Sequence, residues 1–205
     1  MGYRHYFYKV KKADVETIKD MTYKQLVEYA EAKGVEVDEW CGKKTLYFDD
    51  LFRKTEVHEF GKLYWDNTAE RIYSKGVPLF SKPAVQEEFD DYKPYIVGKE
   101  GLLEAISIYQ EKVLNWYKSL LVNGEEKHLP FGITLTVEDV KSVDKIIEHI
   151  RDKIQSISYR GLVDIDENDK WSVTSSWEYE HSIFNLVHIL KSIGWEQDTL
   201  LFYGW

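Results

Sequence analysis

Glu178, His181, Asn185, His188 and Ser192 follow one another at steps of three and four residues. On a helix that spacing lines them along one face. Carboxylate, imidazole, amide and hydroxyl groups on one face suit a metal, acid–base chemistry or polar recognition of a partner. The two histidines sit two turns apart, about 10 Å along the axis, too far to share one small ion. A metal there needs ligands from elsewhere, and a solvated face is the plainer reading. We assign no metal.

Three other groups invite chemistry. Asp164, Asp166, Glu167, Asn168 and Asp169 start like a calcium loop. The sixth position, Asp169, should be Gly and the twelfth, Ser175, should be Glu, so a hairpin turn fits better. Gly98, Lys99 and Gly101 open a long helical pattern. Free amides at such a start attract anions, so these three are candidates for a phosphate or nucleotide contact, without the spacing of a P-loop. Arg4 and His5 lie in a strand pattern, on opposite faces, so only one can join a given pocket. No nucleophile elbow occurs, and no cofactor is implied.

Cys41 is the only cysteine. A single thiol makes no internal disulfide and no cysteine-based zinc site, which fits a reducing, cytoplasmic compartment. Its structural reading, as an incidental thiol, outweighs a nucleophilic one.

The elements that must position these groups come from periodicity. Residues 3–10 predict a first strand and 13–20 a short helix. Thr22 with Gln25 forms a capping box for a helix that Gly34 stops. Thr45–Phe48 predicts a short strand. Asp49 or Asp50 then caps a helical stretch through Leu51, Phe52 and Phe60 to Tyr73, weakened at Gly61. Three of the four prolines fall in 77–98, which reads as an irregular connection with one helical turn near Val85–Phe89. A helix over about 99–122 and another over about 136–157, striped with Val140, Val143, Ile147, Ile150 and Ile154, predict a long helical hairpin. Gly161–Ser175 predicts a strand hairpin. A last helix ends at Ile193, with Ser175 and Glu178 as a second capping box. The apolar close TLLFYGW predicts a strand packed in the sheet, beside the first.

These readings give an α+β fold, a small mainly antiparallel sheet packed against several helices including the long hairpin. We expect residues 1–205 to form a single domain, with a possible subdomain seam near 77–98. Apolar residues are 43% and charged residues 31%, which excludes global disorder. No apolar run reaches the length of a membrane span, and the start lacks a signal-peptide pattern.

Net charge is −9, and it is uneven. Residues 1–75 balance; residues 161–205 hold two lysines against eight acids, with four of the seven tryptophans. Such a surface repels phosphate backbones, so direct nucleic-acid binding is disfavoured. It attracts a basic or nucleic-acid-binding protein. The expected contact residues are Trp171, Trp177 and Tyr179 as anchors, inside a rim of Glu178, His181, Asn185, His188, Asp166 and Asp169. Trp195 is a further anchor candidate.

The stretches MGYRHYFYKVKK, EFGKLYWDNTAERIYSKG and SSWEYEHSIFNLVHILKSIGWEQDTLLFYGW resemble uncharacterised accessory proteins of Gram-positive bacteria and their phages. The likeness runs over most of the chain. It implies a setting in prophages and other mobile elements, where proteins often inhibit a host factor. It carries over no functional residue.

The leading expectation is a non-enzymatic acidic binding protein that inhibits or sequesters a macromolecular partner, of the immunity or anti-defence kind, monomeric or homodimeric. A small-ligand binder for a nucleotide signal is the alternative. A hydrolase with a histidine and carboxylate site assembled by the fold is the third reading.

Overall fold

A computed structural model describes residues 5–52, 68–89, 93–122 and 177–204, with 142, 144, 145 and 148. Side chains are described in those ranges except at 49, 113–122, 177–181, 184 and 185. The elements run β1 (His5–Lys11), α1 (Lys12–Ile18), α2 (Tyr23–Ala32), β2 (Asp38–Trp40), β3 (Lys43–Thr45), α3 (Phe48–Leu51), α4 (Thr68–Tyr73), β4 (Val77–Pro78), α5 (Pro83–Glu87), β5 (Tyr95–Ile96), α6 (Gly98–Val122), α7 (Trp177–Ser192) and β6 (Asp198–Gly204).

The fold is α+β. Its main sheet is antiparallel with order β1-β6-β5-β4, and β2 pairs with β3 in a separate hairpin. The chain divides into two compact units, one of residues 1–104 and 189–205, the other of 105–188. The sheet, the hairpin and the proline-rich segment all lie in the first unit.

The apolar C-terminal residues form β6, which pairs with β1 from His5↔Gly204 to Lys11↔Asp198. A strand with neighbours on both sides and cover on both faces has no polar side to show. Thr199–Gly204 are accordingly all buried. On one face Tyr8, Val10, Leu201 and Tyr203 join a core with Val15, Ile18, Leu26, Ala30, Phe48 and Phe89 from the helices and loops. On the other face Phe7 lies opposite Phe202, their rings 5.1 Å apart, and Tyr73 of α4 meets Phe202 edge-on at 4.9 Å. Edge-to-face contacts of this kind add to the burial of the rings themselves.

Local chemistry sets the helix ends. Thr22 and Gln25 complete the capping box in both directions. At the other end of α2 the Val35 amide donates to Ala30 and the Gly34 amide to Glu31, at 3.0 and 2.9 Å, the paired bonds of a Schellman stop. The first core thus takes Leu26, Val27 and Ala30 from one amphipathic face.

Several expectations change. The helix proposed from Asp49 or Asp50 to Tyr73 is described at its two ends, as α3, with Tyr47 before it, and as α4; it is not continuous, because Phe52 turns extended at φ −129°. Phe48 and Phe52 are both buried in the core, their rings tilted with centroids 5.0 Å apart. Residues 53–67 lie outside the described residues. The 77–98 segment is more regular than expected. It supplies α5 and two-residue strands β4 and β5, bridged by buried Gln86, which donates to the Pro94 carbonyl at 2.7 Å and accepts from the Phe80 amide at 3.2 Å. Pro78 sits in the edge strand, where its missing N–H costs nothing. Helix α6 matches its expected span and buries Leu102, Ile106 and Tyr109. The second arm of the long hairpin, nearly all of the 136–157 stripe, and the 161–175 strand pair lie outside the described residues.

His5 is wholly buried, stacked on Phe202 at 5.2 Å and edge-on to Tyr73 at 5.9 Å. Its ring covers Gly204 across the strand pair, where a Cβ would come within 2.4 Å of His5 Cδ2. The glycine is the space that lets a ring cross the strand. Burial lowers the His5 pKa from 6.5 to about 4. The folded state therefore refuses a proton that the unfolded chain accepts. Stability is unaffected above pH 6.5, falls as pH drops through the window from 6.5 to about 4, and levels off below it. The loss expected from this one group is about 3 kcal/mol. Urea unfolding across that window should show this decline, and His5→Phe should reduce it. An equal decline in the variant contradicts the assignment.

Candidate functional site

The most exposed large apolar side chain among the described residues, Trp40, stands on the β2–β3 hairpin. The turn between its strands has two residues, Cys41 at φ 51° and Gly42 at φ 76°. Two left-handed central residues are what a two-residue hairpin turn needs to match the twist of its strands. Gly42 takes this conformation freely, whereas Cys41 takes it against the crowding of its Cβ.

Charge fixes the hairpin in place. Its register sets Glu39 opposite Lys44 and Trp40 opposite Lys43. Lys44 bonds to Glu31 of α2, and that hydrogen bond raises the lysine pKa above its ordinary value. Lys43 pairs with Glu88, just past α5, at 3.2 Å. The Leu46 amide donates to the Tyr23 hydroxyl at 2.9 Å. Each exposed ion pair contributes little energy, but two attachments to α2 and one to Glu88 fix an orientation.

The hairpin holds out Trp40, which is 81% exposed. Tyr47, two residues past β3, is 52% exposed. A tryptophan that gains nothing from the core, on a strand tied down at its base, has the character of an interface anchor. Asp38 shares its strand face with Trp40, and Glu36, Asp38 and Glu39 are all exposed. Between β3 and α2 runs a groove of about 370 Å³, lined by Tyr23, Lys24, Val27, Glu28 and Glu31 from the helix and by Gly42, Lys43 and Lys44. Its lysines and carboxylates are largely paired with each other. It offers a contact surface and no convergent acid–base set.

The residues expected from sequence fall elsewhere. Helix α7 carries Glu178, His181, Asn185 and His188 in one run, and Ile183, Leu186, Val187 and Ile193 are buried. His188 is exposed, as a polar face requires. The side chains of Trp177, Glu178, Tyr179, His181 and Asn185 lie outside the described set, as do Trp171, Asp166 and Asp169 altogether. Trp195 is not a free anchor. Its indole donates to the Leu190 carbonyl at 3.0 Å, closing the last turn of α7.

Gly98, Lys99 and Gly101 do stand at the start of α6, with Lys99 exposed. Both glycines have structural reasons, one of conformation and one of packing. Gly98 is left-handed at φ 55°, and Gly101 is buried, its missing Cβ leaving room for Val97 at 2.4 Å. The Gly101 amide already donates to the Val97 carbonyl at 2.9 Å. Among the described residues no three metal-type side chains gather, and no helix is long and apolar enough to cross a membrane. No family model, curated protein or solved structure matches the chain.

Sequence reasoning missed the hairpin because Cys-Gly lacks the usual Asn or Asp and because its flanks, DEW and KKT, carry no apolar alternation. The usable signal was Gly42 between an acidic and a basic triplet. The strained turn makes a prediction. Cys41→Asn, a residue that accepts the left-handed region, should stabilise the protein by about 1 kcal/mol. A higher urea midpoint with unchanged slope is the expected result, and a lower midpoint contradicts it.

Proposed function

We propose that this chain is a non-enzymatic binding protein that inhibits or sequesters a macromolecular partner, with the β2–β3 hairpin as its contact element. The observation that carries this reading is Trp40, 81% exposed on a hairpin whose other strand is tied by ion pairs to Glu31 of α2 and to Glu88, just past α5. Interfaces draw much of their energy from a few such residues set among polar neighbours. Rigidity matters as much as exposure, because a contact element fixed in advance loses little freedom on binding.

Electrostatics suits the same role. The net charge of −9 speeds encounter with a basic partner and slows encounter with bare nucleic acid. Residues 161–205, with their six excess acids, add to that field. The exposed thiol of Cys41 fits the reducing cytoplasm. The resemblance to accessory proteins of mobile elements fits an immunity or anti-defence role.

The test is capture of a stoichiometric partner from the cells that encode the chain, with wild type and Trp40→Ala side by side. Loss of an anchor of this kind should weaken the complex by about 30-fold, equivalent to about 2 kcal/mol, while the urea midpoint stays unchanged. Calorimetry on the purified pair reads the difference. Undiminished affinity in Trp40→Ala removes the hairpin from the interface.

A further inference from the structure

Among the described residues the hairpin is open on one side only. Strand β3 lies toward α2, through the Lys44–Glu31 bond and the Leu46–Tyr23 bond. Strand β2 pairs with β3 and with no other described strand. In a hairpin with a two-residue turn, the pair beside the turn, Trp40 and Lys43, exchanges both hydrogen bonds. Alternation then turns the N–H and C=O of Glu39 away from β3. Among the described residues no main-chain bond outside the hairpin reaches Glu39. An edge of this kind is a template for another strand.

Charge says what that strand must be. The cations of this patch already have partners: Lys43 with Glu88, Lys44 with Glu31, Lys33 with Asp14 and Lys24 with Glu28. The acids along β2 are left over. Glu36 and Asp38 have no ion-pair partner among the described residues, and Glu39 faces a lysine that Glu31 holds. The open edge is therefore negative, and the positive charge beside it is already neutralised. Trp40 stands on the same face as Asp38, and an indole is the best aromatic platform for a cation.

We infer that β2 receives an extended, basic segment of a protein partner as an added strand, with an arginine of that segment over the Trp40 indole and beside the Asp38 carboxylate. The inference rests on the binding reading above and adds the chemistry of what is bound. Alternation within an extended segment places every second side chain on the Trp40 face, so the segment carries arginine or lysine at alternate positions. Nucleic acid does not fit, because its phosphates meet the uncompensated carboxylates.

The test uses the full chain and a labelled peptide, Arg-Thr-Arg-Val-Arg-Thr-Arg, with the same peptide carrying Glu for Arg as its opposite. Fluorescence anisotropy should show the arginine peptide binding and the glutamate peptide not binding. Trp40→Ala should weaken the complex by about 30-fold, as loss of a desolvated cation–π contact implies. Asp38→Asn should weaken it several-fold. Glu196→Gln, which removes one exposed charge away from the hairpin, should leave it unchanged. Hydrogen exchange at the Glu39 amide should slow when the arginine peptide is bound.

Equal weakening by Asp38→Asn and Glu196→Gln means attraction by net charge only and overturns the inference. So does peptide binding that ignores Trp40→Ala, or no peptide binding at all. If a captured partner depends on Trp40 while the peptide does not bind, this inference falls and the binding reading stands. If the captured partner ignores Trp40→Ala, both fall.

Discussion

The pairing of β1 with β6 is the interaction on which the first unit depends. It joins the two ends of the described chain over seven residue pairs. The core helices pack on its faces and the rest of the main sheet adds to one edge. Strand β5 adds to the far side of β6, through Tyr95↔Phe202 and Ile96↔Leu201, and the Val97 amide donates to the Leu200 carbonyl. The two faces of the pair seed the two aromatic layers, Tyr8 and Tyr203 on one side, Phe7 and Phe202 on the other. Such distant pairing carries a loop-closure cost before any contact rewards it. The reward is a central strand with no exposed residue from Thr199 to Gly204.

The same arrangement separates stability from contact. Aromatic rings fill the sheet faces, where Phe48 alone meets Tyr8, Phe52, Phe89 and Tyr203. The hairpin takes almost none of that apolar area. Its attachments are ion pairs and one hydrogen bond, so its side chains are free to vary without disturbing the core. Trp40 is large, apolar and outside the core, and the acids around it exceed the cations available to them. Those two facts give the surface its chemical character.

What could be read from the sequence divides along local and distant causes. The capping box at Thr22 and Gln25 was legible because its partners are three residues apart. The strand at 198–204 was legible because an apolar segment of that length must be covered. The span of α6 followed from Leu102, Ile106 and Tyr109. Strands β4 and β5 were not legible, since two residues hold no periodicity; β5 exists through pairing with β6, more than a hundred residues away, and β4 through pairing with β5. In the hairpin, Trp40 carried no signal of exposure. Trp195 looked free, although its indole serves a carbonyl five residues back.

Native-state hydrogen exchange tests the claim that the β1–β6 pair underlies the first unit. The amides of Leu200, Leu201 and Phe202 should exchange only through global opening, with a free energy equal to that of urea unfolding. Those of α2, from Leu26 to Ala30, should open at equal or lower free energy. If the β6 amides exchange more readily than the α2 amides, the strand pair frays while the helices hold, and the account is wrong at its base.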